Sequence, residues 1–106
     1  MQYYNDPIEY LLAVIGEKEE YYLNAQSSNP DPRYQSFCKG ALQVLKRAKW
    51  RVSRTSQNKM DKLHLHYMKQ FANSRYTPSG EGKREAYAFL TEALQSAGFG
   101  PQGVYR

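Results

Sequence analysis

No proline lies between Pro32 and Pro78, and Gly40 is the only glycine in that interval. Turns and hairpins draw heavily on these two residues, and helix interiors avoid them. A stretch so poor in both leaves little besides helix for the middle of the chain. What remains to be read is how many helices there are and where they stop.

Apolar spacing answers both. Tyr34, Cys38, Ala41, Leu45, Ala48 and Val52 follow one another at intervals of 4, 3, 4, 3 and 4, the spacing of a helix packed along its length against a neighbour. The small residues at 38, 41 and 48 predict a close approach. The next stripe, Met60, Leu63, Tyr67 and Phe71, is displaced by one position from that seam, with SRTSQN at the discontinuity. Ser56, or Asn58 with Asp61 three residues on, supplies a cap for a new helix. Two helices are predicted, over 32–53 and 57–74; one kinked helix through both is the alternative.

The flanks read in the same way. Asp6-Pro7 and Asp31-Pro32 are matching helix starts, each with a side-chain acceptor followed by proline at the first helical position. Glu9 completes a capping box after Asp6. Ile8, Leu11, Leu12 and Ile15 fall on one face, with Leu23 extending it, which predicts a helix over 7–24. SRYTPSGEGKRE reads as a loop with Thr77-Pro78 offering a further start. Ala86, Phe89, Leu90, Ala93, Leu94 and Ala97 then mark a helix over 80–97. Gly98 supplies a left-handed stop, Phe99 folds back on the last turn, and 99–106 forms a tail. With no period-2 alternation and no internal repeat, the expected fold is all-α: a bundle-like single domain of four helices over 1–106.

The 106 residues are enough to bury one core without a staple. Cys38 is the sole cysteine, which excludes an internal disulfide and any CxxC site and fits a reducing, cytoplasmic setting. No apolar run approaches a membrane span and no leader pattern is present, so no membrane partner is expected.

Catalytic and ligand patterns are absent. His64 and His66, two residues apart, point about 200° apart on a helix and do not converge on a metal. Cys38 lies on the packing seam and reads as a buried thiol. In SGEGKRE, Gly80, Gly82, Lys83 and Arg84 meet neither spacing condition of a phosphate loop. Glu19 and Glu20 read as a solvated face. The expectation is a non-enzymatic protein with no cofactor and no metal.

Charge is the informative surface signal. The net charge of +5 hides a segregation: residues 1–38 carry two basic and six acidic side chains, and 39–75 carry ten basic ones against Asp61 alone. The densest run is KRAKWRVSR, residues 46–54, around the sole tryptophan. With 100° per residue and Ala41 at zero, Leu45, Ala48 and Val52 fall within about 40°, whereas Trp50 falls at about 180°. Lys39, Lys46, Arg47 and Arg54 project within about 60° of Trp50 by the same construction. Trp50 is therefore expected to face away from the seam among cations.

That pattern predicts a binding face of Lys39, Lys46, Arg47, Lys49, Trp50, Arg51, Arg54 and Lys59 on the second and third helices. The expected partner is nucleic acid, or a complex containing it, held by phosphate contacts with Trp50 as a stacking residue. The alternative is a protein-interaction module, a small regulator, adaptor or inhibitor of mobile-element type. Its basic face docks on an acidic protein surface, with self-association of the oppositely charged helices as a variant. The plain structural reading packs Trp50 under the first helix or the tail and leaves the cations solvated. Ten tyrosines, including the pairs Tyr3-Tyr4 and Tyr21-Tyr22, add an expectation of exposed protein-contact surface near the first helix.

Overall fold

The computed structural model describes residues 6–100; the Tyr3-Tyr4 pair and positions 101–106 of the expected tail lie outside the described residues. Three helices open on a side-chain oxygen followed by proline. Asp6 accepts from the Ile8 N–H at 2.9 Å, Asp31 from the Arg33 N–H at 3.0 Å, and Thr77 from the Gly80 N–H at 2.9 Å. Pro7, Pro32 and Pro78 follow, where a missing N–H costs nothing. These caps begin α1 (Pro7–Ser28), α2 (Pro32–Arg54) and α4 (Pro78–Ser96); α3 (Met60–Ala72) lies between the last two, behind a 3-10 turn at Gln57–Lys59. The fold is all-α, with no strand among the described residues.

The differences from the sequence expectation each have a local cause. Helix α1 runs through Ser28 rather than stopping near 24. The Ser27 and Ser28 hydroxyls donate back to the Leu23 and Asn24 carbonyls, and the Gln35 side chain of α2 donates to the Gln26 and Asn29 carbonyls. Leu23 does not extend the buried face; it is exposed, and Tyr22 takes that role with Leu11 and Ile15. Helices α2 and α3 are separate, because Thr55 is extended and its hydroxyl donates to the Arg51 carbonyl at 2.7 Å, closing the last turn of α2. Neither Ser56 nor Asn58 caps α3 with its side chain; residues 57–59, predicted as helical, form the 3-10 turn instead. Helix α4 starts two residues before the predicted 80, on the Thr77 cap.

The core is built around α2, which packs on α1 along one side and on α4 along another, while α3 lies against α4. The predicted seam is buried from Cys38 to Val52, joined by Val44, and meets Leu11, Ile15 and Tyr22 of α1 and Ala86, Leu90, Ala93 and Leu94 of α4. Losing a fully buried leucine such as Leu45 to alanine costs about 2–5 kcal/mol in such a setting. The α2–α4 crossing depends on glycines more than on the small seam residues. A Cβ at Gly40 would stand 2.2 Å from the Ser79 carbonyl oxygen, and one at Gly82 would stand 1.9 Å from that of Phe37. Backbone touches backbone there, and SGEGKRE is helix throughout rather than loop.

Helix α4 ends as read from the sequence. The Gly98 N–H donates to Gln95 and the Phe99 N–H to Leu94, with Gly98 at φ 99° and Phe99 tucked into the core. The chain then reaches α3, where the Asp61 carboxylate accepts from the Gly100 N–H at 2.7 Å and Gly100 lies over the His64 ring. His64 is buried, and its Nε2 has no hydrogen-bond partner among the described residues. Desolvation holds its pKa below the ordinary 6.5, with Asp61 opposing; His66 moves the same way, by desolvation and by Arg51. A depressed histidine pKa means that the unfolded chain takes up the proton first. That part of the stability is complete above about pH 6.5 and is lost as pH falls below it. The melting temperature is expected to drop between about pH 7 and pH 5, and His64→Leu to flatten part of the drop, His66 contributing in the same direction. An unchanged profile in the variant would place the acid sensitivity elsewhere.

Candidate nucleic-acid interface

Trp50 is 58 % exposed, on the side of α2 turned away from the buried seam. The Arg54 guanidinium, one turn on, lies over its ring at 4.7 Å from the centroid. A depression of about 540 Å³ borders the ring, lined by Gln43, Lys46, Arg47, Trp50 and Arg51. Arg54 is not part of that lining. The guanidinium therefore takes one face of the indole and leaves the ring open toward the depression.

Gln43, Arg47 and Arg51 also border a second cavity, of about 360 Å³, that runs between α2, α3 and α4. Helix α3 contributes His66, Tyr67 and Gln70 to it, and α4 contributes Lys83 and Tyr87. Its floor is aromatic: the Tyr67 and Tyr87 rings lie 6.0 Å apart, and His66 sits 5.4 Å from Tyr67. Burial pushes the Tyr67 phenol up to about 12 and raises Tyr87, while Arg51 opposes both shifts and Arg47 opposes the second. The two guanidiniums thus act electrostatically on this cavity. Among the described residues no carboxylate lines either depression. Among the described residues the one ion pair is Lys49 to Glu19, at 3.0 Å, so Arg47, Arg51 and Lys83 reach the cleft without an acidic partner.

The structure divides the eight residues singled out from the sequence. Lys46, Arg47, Trp50 and Arg51 line the depressions, and Arg54 stacks on Trp50. Lys49 turns the other way and ties α2 to α1 through Glu19. Lys39 is exposed near the start of α2, about 16 Å along the helix from Trp50. Lys59 is exposed on the 3-10 turn. Neither borders the cavities.

Sequence reasoning missed Lys83, His66, Tyr87 and the two glutamines. Their phase places them at the edges of their helices, and no pattern along the chain pairs them with Arg47 and Arg51. Two other readings need correction. Tyr22 is not part of an exposed pair; it is fully buried and its hydroxyl donates to Glu85 on α4. Glu19, read as solvated, is only 13 % exposed and is held by Lys49. Cys38 is buried, and desolvation raises its pKa, against thiolate reactivity.

Among the described residues no group of three or more metal-ligating side chains is gathered, and no helix is long and apolar enough to cross a membrane. Compared with known proteins, the chain matches no family model, no curated protein and no solved structure. Function has to be argued from the site itself.

Proposed function

We propose that this is a non-enzymatic binding protein that engages nucleic acid through the face of α2 bearing Trp50, Arg47 and Arg51. The observation that carries the proposal is a pair of guanidiniums that find no acidic partner among the described residues, set between an open indole ring and a cleft in whose lining no described carboxylate stands. A phosphate backbone supplies the missing negative charge, and a base supplies a flat apolar partner for the ring. Arg47, Arg51 and Lys46 hold phosphates, Arg54 braces Trp50, and Lys49 serves the fold. A reducing, cytoplasmic setting belongs to the same proposal and rests on Cys38, the sole cysteine, buried and free.

Salt dependence tests it. Binding to a mixed pool of single- and double-stranded oligonucleotides is expected at low salt. Its log affinity should fall linearly with log salt, with a slope of about −0.7 to −0.9 for each phosphate neutralised. Absence of binding at low salt would remove the proposal. A flat salt response would assign any binding to something other than these cations.

A further inference from the structure

The form of nucleic acid that such a site takes is decided by what lies next to the arginines. We infer that the site takes a single strand, with a base stacked on Trp50 and the adjoining phosphates led through the cleft between α2, α3 and α4; this inference rests on the nucleic-acid reading. The two halves of the site differ in chemistry. One half is an open aromatic ring beside a depression. The other is a cavity that receives cations from two helices, Arg47 and Arg51 from α2 and Lys83 from α4, with the Gln70 amide and the Tyr87 phenol as further donors. Arg47 and Arg51 border both halves, so a base and its own phosphate are served by neighbouring groups. A duplex offers phosphates outside but keeps its base faces stacked inside, where Trp50 gains nothing.

The path of positive charge points the same way. A third depression, of about 250 Å³, shares Gln70, Lys83 and Tyr87 with the cleft and adds Arg75 from the α3–α4 connection and Ser79 from the first turn of α4. The route from Trp50 past Arg47 and Arg51 to Lys83 and Arg75 therefore turns off α2 and crosses between helices. A flexible strand follows such a bend over a few nucleotides, whereas a duplex is stiff on the scale of about 150 base pairs. Lys39, which would prolong a straight basic ridge along α2 for a duplex, lies away from this route, as does Lys59 on the 3-10 turn.

The test compares a labelled single strand of about 12 nucleotides with its own duplex at one low salt concentration, read by anisotropy, with poly-glutamate as competitor. Wild type, Lys83→Gln and Trp50→Ala are measured side by side, each checked for an unchanged melt. The single strand is expected to bind at least about tenfold more tightly than the duplex, and Trp50→Ala to weaken it roughly tenfold or more. Lys83→Gln should weaken the single strand several-fold and leave the duplex unmoved. Equal affinity for the two forms, with neither variant affecting the single strand, would overturn the inference while leaving nucleic-acid binding in place. Displacement by poly-glutamate as effective as by the single strand itself would also overturn it, marking a site for acidic chains in general. Binding to neither form would bring down the nucleic-acid reading and this inference together.

Discussion

Gly82→Ala is expected to destabilise the protein by about 2–4 kcal/mol, although alanine is the better helix former by about 1 kcal/mol. The added Cβ would sit 1.9 Å from the Phe37 carbonyl oxygen and 2.8 Å from its carbon. Both atoms are backbone, so no rotamer change relieves the clash and α2 and α4 have to move apart. Their interface is the most extensive among the described residues and brings Phe37 and Ala41 of α2 against Gly82 in the first turns of α4. For a domain of this size the loss corresponds to a fall in Tm of about 10–20 °C. Gly16→Ala is the internal comparison: a Cβ there meets nothing within 4 Å, so helix propensity alone acts and Tm should rise slightly. If the two variants melted alike, the glycine-mediated crossing would be wrong.

The largest effect on binding is expected from Arg47→Glu combined with Arg51→Glu. Arg47 is exposed, Arg51 is half-buried, and neither is ion-paired among the described residues, so the change removes no salt bridge seen to hold the fold. Stability should stay within about 0.5 kcal/mol per site. Affinity for oligonucleotides should fall at least a hundredfold, because two phosphate attractions become two repulsions on both sides of the Trp50 depression. The remaining affinity should show a salt slope shallower by about 0.7 for each phosphate of a single strand that is no longer neutralised. Loss of binding together with loss of fold would not meet this expectation, which requires the first without the second.

Much of the framework can be read locally. Asp-Pro and Thr-Pro starts are self-contained devices, and the structure shows each side chain accepting from a first-turn N–H. The α2 seam is periodic over five intervals, so its phase also fixes where Trp50 points. The end of α4 follows from Gly98 and Phe99 alone. What resisted reading depends on partners distant along the chain. Residues 25–28 carry no apolar phase, and their helical turn is supported by Gln35 from another helix. Gly82 reads as a flexible loop residue until Phe37 is known to lie against it.

The candidate site divides along the same line. Its α2 half, from Lys46 to Arg54, is one helix face and is legible from spacing. Its other half exists because α3 and α4 bring His66, Gln70, Lys83 and Tyr87 up to that face. Charge counting also overstated the face. Lys49 carries the same charge as its neighbours, yet its direction along α2 delivers it to Glu19 on α1.

Trp50 is the sole tryptophan, so its fluorescence reports the central claim without a label. On titration with a single-stranded oligonucleotide at low salt, base stacking should quench the emission in a saturable, salt-reversible way. The Arg47→Glu, Arg51→Glu chain should start from the same emission and show no quench at the same concentrations. An emission that stays constant while an independent readout reports binding would contradict the account, because nucleic acid would then be held somewhere other than the Trp50 face.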